Sequence, residues 1–296
     1  MFSTTPSLDC GGRSLLLDRP RVMGIVNVTP DSFSDGGRHA DVAAAVAHGL
    51  KLVEEGADLI DIGGESTRPG AQAVAEAEEI ERVAAVIAAL SEKTSVPISI
   101  DTSKPAVMRA AVAAGAGLIN DVYALRQPGA LDAAAELAVP VCLMHMQGEP
   151  RSMQDAPHYD DVVGEVHRFL AERLFACEMA GLDKRRLLVD PGFGFGKNLA
   201  HNLSLLAGLR RFTELGVPLL AGLSRKRMIG ELTGRPLDQR AAGSAAAALI
   251  AAQHGAMILR VHDVAVTVDA LAVWHGVEHA RPAQRRRATE PQWPDE

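Results

Sequence analysis

At eight places along the chain a short apolar run ends in a polar residue: Asn27, Asp61, Asp101, Asn120, His145, Asp190, Ser224 to Lys226, and Arg260 with His262. Carboxylates accept hydrogen bonds, an amide both donates and accepts, and the cations stabilise negative charge. Gathered at one place, these groups suit one aromatic heterocycle and one phosphorylated leaving group. None of the familiar nucleophile motifs occurs, neither G-x-S-x-G nor H-E-x-x-H, and no cysteine sits in a reactive context. The run Gly192 to Asn198 is Gly-rich but lacks the spacing of a phosphate-binding loop, since no Ser or Thr follows Lys197.

The elements that would position these residues are apolar runs of strand length: Val22–Asn27, Leu59–Ile62, Ile98–Asp101, Leu118–Asp121, Val139–Met144, Leu187–Asp190, Val217–Gly222 and Met257–Val261. Helical sequence lies between most of them. Asp41–Glu55 carries Val42, Val46, Leu50 and Val53 on one face, with Asp41 expected as its cap and Gly56 as its stop. Glu76–Leu90 repeats the design, a polar loop over Pro150–Pro157 precedes a helix over Asp160–Ala180, and Val264–His275 is expected to start behind Asp263. Alternating strands and helices mean a parallel sheet. An open sheet delivers residues only beside its switch point, whereas polar groups end nearly every strand here, so the pattern predicts a closed α/β fold, a single-domain (β/α)8 TIM barrel. It spans 22–278, behind an N-terminal extension over 1–21 and ahead of a tail over 279–296 whose Arg, Pro and Glu content predicts disorder.

Composition narrows the function classes. Hydrophobic residues make up 47% and aromatics only 4%, which favours helix-on-sheet packing. The net charge of −7 and scattered basic residues argue against a nucleic-acid partner, and no apolar run is long enough to span a membrane. Three cysteines with no paired spacing argue against a disulfide framework or structural zinc and fit a cytoplasmic protein.

Long strings then carry a resemblance: Val28-Thr29-Pro30-Asp31-Ser32-Phe33-Ser34-Asp35-Gly36-Gly37, Gly63-Gly64-Glu65-Ser66-Thr67-Arg68-Pro69-Gly70, Ile100-Asp101-Thr102-Ser103-Lys104-Pro105, Asp190-Pro191-Gly192-Phe193-Gly194-Phe195-Gly196-Lys197-Asn198, Ser224-Arg225-Lys226 and Arg260-Val261-His262-Asp263. The chain closely resembles the bacterial dihydropteroate synthases from about Val22 to His275. The resemblance implies a barrel, usually dimeric, that joins 6-hydroxymethyl-7,8-dihydropterin pyrophosphate to 4-aminobenzoate with Mg2+ assistance, in folate biosynthesis.

Carried onto this sequence, the resemblance implies that Asp101, Asn120 and Asp190 read the pterin edge, and Lys226 hydrogen-bonds a ring nitrogen or carbonyl. A site built of such groups rejects analogues that would leave them unpaired. Arg68, Arg260 and His262, with Val261 between the last two and Thr67 beside the first, form the expected pyrophosphate clamp, and Asn27 the expected Mg2+ contact. Phe33, Pro69, Phe195 and Ser224 are expected around 4-aminobenzoate, with Gly192–Asn198 as a flexible wall. Asp35 is expected to close over a cationic intermediate, which makes Lys226, Arg68 and Asp35 the catalytic set. Plainer readings stand beside these: the strand-end carboxylates as helix caps, Asn27 as a turn former, Asp35 as part of a tight turn, and Arg260 as half of a buried ion pair or stacked on the pterin face. Tyr123 and Arg227 depart from some relatives. The absence of an insertion near Thr67–Gly70 points to a sulfonamide-sensitive type, so sulfonamides join the expected ligands. Two alternatives share much of the pattern, a pterin-binding methyltransferase-type barrel and a catalytically silent pterin-binding paralogue.

Overall fold

In the computed structural model the described residues are 6–28, 37–66, 74–149, 153, 154 and 156–280. Eight parallel strands form the sheet: β3 (Arg21–Asn27), β4 (Leu59–Gly63), β5 (Ile98–Asp101), β6 (Leu118–Asp121), β7 (Val141–Met144), β8 (Leu187–Asp190), β9 (Leu220–Ala221) and β10 (Ile258–Val261). Their order is β8-β7-β6-β5-β4-β3-β10-β9, and the ends meet through a parallel bridge between Val189 and Leu219. The ring therefore closes nearly as the strand count predicts. Helices α1 (Gly37–Glu54), α2 (Glu76–Ser91), α3 (Pro105–Ala113), α4 (Ala130–Leu137), α5 (Val162–Met179), α6 (Leu199–Ala207), α7 (Arg227–Thr233), α8 (Ala241–Gln253) and α9 (Val264–His279) follow the strands.

Side chains of period two divide the strands between two cores. Residues such as Ile60, Ile62, Ile98 and Ile100 face the helices, which contribute Val83, Val86, Ile87 and Leu90 from α2. The opposite faces point into the barrel. At its N-terminal end Met23, Leu59, Leu118, Cys142, Leu188, Leu220 and Ile258 meet Leu8, Cys10, Leu15 and Leu17. Those four come from the N-terminal extension, which is a hairpin of β1 (Ser7–Cys10) and β2 (Arg13–Leu16) plugging the barrel floor. Gly117 has no side chain because a Cβ there would sit 2.1 Å from the Cys10 carbonyl oxygen. The three cysteines are free and buried, and burial pushes the Cys10 thiol up to about 12.

Several local expectations are revised. Helix α1 begins at Gly37, so Asp41 lies inside it rather than capping it. Gly56 does end the turn, with φ of +100°. Helix α9 has Asp263 at its start, but the carboxylate pairs with Arg225 instead of capping, and the helix runs on to His279. The strand expected over Val217–Gly222 shortens to Leu220–Ala221. Residues 281–296 lie outside the described residues.

Candidate active site

The C-terminal ends of the strands open into one cleft of about 1010 Å³. Asn27, Asp101, Phe195, Ser224, Lys226, Arg260 and His262 all line it. Asn120 and Asp190 lie behind that lining, each only 4% exposed. Phe33, Asp35, Thr67, Arg68 and Pro69 lie outside the described residues.

Strand register explains the clustering. Asn27 pairs with Gly63, Gly63 with Asp101, and Asp101 with Asn120, so four adjacent strands bring one row of residues to the cleft. Gly63 leaves space in that row: a Cβ there would stand 3.7 Å from Asp101 Cβ and 3.8 Å from Asn27 Oδ1. None of the carboxylates or Ser103 caps the next helix. Helix α3 starts at Pro105 without a side-chain cap, and Ser103 donates to Asp121. Asp190 Oδ1 accepts from the Gly192 N–H at 2.8 Å.

The centre of the site is an ion-pair array. Arg260 Nε donates to Asp61 Oδ2 at 2.6 Å and its Nη2 to Asp101 Oδ2 at 2.7 Å, while Asn120 Nδ2 reaches Asp61 Oδ2 at 3.3 Å. Asp61 is fully buried, and its Oδ1 has no hydrogen-bond partner. One guanidinium thus faces two buried carboxylates. Burial pushes Asp101 up to about 7, against the pull of Arg260 and with the added push of Asp61. Burial raises Asp190 too, opposed by Lys226.

The array also sets the surroundings of the expected clamp. Arg260 is balanced inside the protein by Asp61 and Asp101, which is the buried-pair reading of the sequence. Val261 packs in the strand–helix core and does not line the cleft. The Ser224 hydroxyl, expected at the second substrate, accepts from the His262 N–H at 3.1 Å and lies 3.1 Å from its Nδ1. It orients His262.

Lys226 reaches the cleft from the start of α7. Its Nζ donates to the Phe193 carbonyl and lies 4.6 Å from the Phe195 ring centroid, a cation–π arrangement. Burial lowers it to about 8, with Asp190 opposing. Arg225, just before it, has φ of +57°, which costs of order 1 kcal/mol or more for a residue other than glycine and must be held. Its N–H donates to Ser244 Oγ, its carbonyl accepts from Arg240 Nη1, and its guanidinium pairs with Asp263 at 2.5 Å. That turn aims Lys226 inward.

The segment expected as a flexible wall is instead tied down at each carbonyl. Gly192 and Phe195 carbonyls accept from Lys197 Nζ, Phe193 from Lys226, Gly194 from Gln154, Gly196 from Tyr159, and the Lys197 carbonyl from Asn202. Lys197 turns inward onto the loop's own carbonyls. Lys197 is a site-forming residue to which the sequence assigned no role, and Asp61 and His145 were read there only as polar groups at strand ends.

Among known proteins, the pterin binding enzyme family matches residues 23–262. The dihydropteroate synthase of Escherichia coli K12 is 54% identical over 274 residues, 93% of this chain and 97% of the relative. The chain belongs to the dihydropteroate synthase family. A structure of the Xanthomonas albilineans enzyme with 4-aminobenzoic acid shares 72% identity and a TM-score of 0.89, covering 93% of this chain and 99% of that one. A second, with 7,8-dihydropteroate, shares 69% identity and a TM-score of 0.85 over 92% and 99%. The Yersinia pestis synthase in a sulfonamide drug complex shares 52% identity and a TM-score of 0.88 over 93% and 100%. These relatives set aside the methyltransferase-type barrel.

Proposed function

We propose that this chain condenses 6-hydroxymethyl-7,8-dihydropterin pyrophosphate with 4-aminobenzoate, yielding 7,8-dihydropteroate and pyrophosphate. The observation that carries the reading is the buried polar floor of the cleft, where Asp101, Asn120, Asp190 and Lys226 converge. A 2-amino-4-oxo pyrimidine edge offers adjacent donors and an acceptor, which this set matches. An analogue without that edge would strand buried charges, so the floor selects a pterin strongly.

The reaction is dissociative. The C–O bond to the leaving pyrophosphate breaks with its electron pair, the ring system carries the positive charge, and the amine of 4-aminobenzoate attacks the exocyclic methylene and then loses a proton. Fixed cations aimed at the leaving group act chiefly in the transition state. That work is assigned to Arg68, Arg260 and His262, with Thr67 as a neutral donor beside Arg68. Asn27 would hold Mg2+ through its amide oxygen, and one protein oxygen is enough because this ion takes most of its ligands from water and phosphate. The bound ion would neutralise charge on pyrophosphate. The family resemblance assigns Asp35 to the cation and Phe33, Pro69, Phe195 and Ser224 to 4-aminobenzoate, or to a sulfonamide in its place.

The reading includes a cytoplasmic homodimer. Among the described residues no helix is long and apolar enough to cross a membrane, and Leu232, Leu237 and Ile250 are exposed around α7 and α8, a surface that a second copy would cover. The test is pyrophosphate release from the pterin pyrophosphate. Release that requires 4-aminobenzoate and Mg2+ supports the synthase reading. Tight pterin binding without release marks a silent paralogue and overturns it.

A further inference from the structure

Lys197 is 3% exposed, the groups its Nζ bonds are neutral, and burial lowers it well below the ordinary lysine value. Its three donors meet His145 Nδ1, the Gly192 carbonyl and the Phe195 carbonyl, each at 2.9 Å, with the His145 carbonyl a longer fourth contact at 3.5 Å. Every donor therefore has a partner. His145 stands at the end of β7 and is fixed in turn, with the Phe169 ring edge-on at 4.8 Å and Tyr159 at 6.1 Å. Burial first, and then the Lys197 charge, lower His145 to about 2, so the ring stays neutral in the working range, and with Lys197 donating to it Nδ1 is the nitrogen that accepts. Tyr159 Oη donates to the Gly196 carbonyl at 3.0 Å, closing a ring of contacts from β7 through α5's approach to the β8 loop.

Two glycines record how closely this loop lies on β7. At Gly192 (φ +71°) a Cβ would sit 1.9 Å from the His145 carbonyl oxygen, and at Gly196 (φ +60°) 2.4 Å from that of Gln147. The loop has no secondary structure of its own between Asp190 and Leu199, so side chains supply the partners that its carbonyls need. The aromatic ring that the loop presents to the cleft is Phe195, stacked against Lys226 Nζ.

We propose that Lys197 and His145 form a buried latch that positions Phe195, and so sets the specificity of the 4-aminobenzoate subsite without touching either substrate. The inference rests on the synthase reading for the identity of that subsite. Lys197 is a positioning residue. Removing one side of a fully satisfied buried network strands the other side, and a small displacement of a positioning group has a large kinetic effect.

The test combines Lys197→Met, His145→Gln, which keeps an acceptor, and His145→Leu, which does not. Lys197→Met and His145→Leu are expected to raise KM for 4-aminobenzoate about tenfold, with pterin affinity within twofold of wild type, and His145→Gln to recover most of the loss. In a Phe195→Ala background the Lys197→Met effect should vanish, because the latch acts through that ring. Equal losses for both substrates, or additive effects of Lys197→Met and Phe195→Ala, overturn the proposal. Hydrogen exchange gives an independent readout, since amides 192–197 should lose protection in Lys197→Met while the barrel strands keep theirs. If the wild type itself releases no pyrophosphate, the synthase reading is what fails, and unchanged protection of those amides would separately eliminate the latch.

Discussion

Asp101 gives the site a pH dependence that can be worked from the geometry. Its carboxyl shares one guanidinium with Asp61, and burial raises it to about 7, so near neutrality much of the free protein carries it protonated. A pterin offers N–H donors to this position and binds the ionised form. Affinity should be flat well above pH 7 and fall about tenfold per unit below it, which at pH 5.5 is roughly 30-fold, or about 2 kcal/mol. Calorimetric titration of 6-hydroxymethylpterin between pH 5.5 and 7.5, in two buffers of different ionisation enthalpy, should also show release of about one proton near pH 6. Asp101→Asn should bind more weakly and with a flatter profile, which separates Asp101 from Asp190, also raised by burial. The folded state holds the Asp101 proton more tightly than the unfolded chain does. Its stabilising contribution is therefore whole below the ordinary carboxylate range and is lost as pH rises through about 7. Denaturation of Asp101→Asn should lack that loss. A pH-independent pterin affinity in the wild type, or an unchanged slope in Asp101→Asn, would refute the reasoning.

Three further outcomes follow from particular contacts. Asp61→Ala leaves Arg260 with one partner and Asn120 with none at that position, so urea denaturation should show a loss of about 3–5 kcal/mol; a loss under 1 kcal/mol would deny the array its structural weight. Gly117→Ala forces a Cβ against the Cys10 carbonyl, costing about 1–3 kcal/mol and several degrees of melting temperature, while turnover at low temperature stays at the wild-type level because the hairpin is at the far end of the barrel. Arg68→Ala, as a transition-state cation, should lower turnover about a hundredfold, and wild-type turnover with weakened binding alone would reassign it.

The barrel was legible because its strands are buried on both faces and end abruptly in polar residues, so the pattern survives even where a strand shortens to Leu220–Ala221. The N-terminal hairpin was not, since each four-residue strand is too short for a period-two signal to stand out. Asp101, Asn120 and Asp190 were readable as polar groups at strand ends, but pairing between distant strands was not. Arg260 bonds Asp61 across 199 positions, a contact only closure of the ring creates. One signal for it did exist: Asp61 sits inside an apolar run, and a fully buried carboxylate requires a cation nearby. Lys197 was hidden by its surroundings, because a lysine beside glycines suggests a solvated charge or a phosphate ligand. The left-handed turn at Arg225 and the ties that tame the Gly-rich loop likewise depend on Ser244, Arg240, Gln154 and Tyr159, residues that no local pattern connects to it.

The central claim is that strand-end residues of different strands form one pterin site. Titrating a pterin into Asp190→Ala, with circular dichroism showing an intact fold, tests it most directly. The account predicts that binding is lost or weakened at least a hundredfold, as expected when about 3 kcal/mol of charge-assisted hydrogen bonding disappears. Wild-type affinity in a folded Asp190→Ala protein would contradict it.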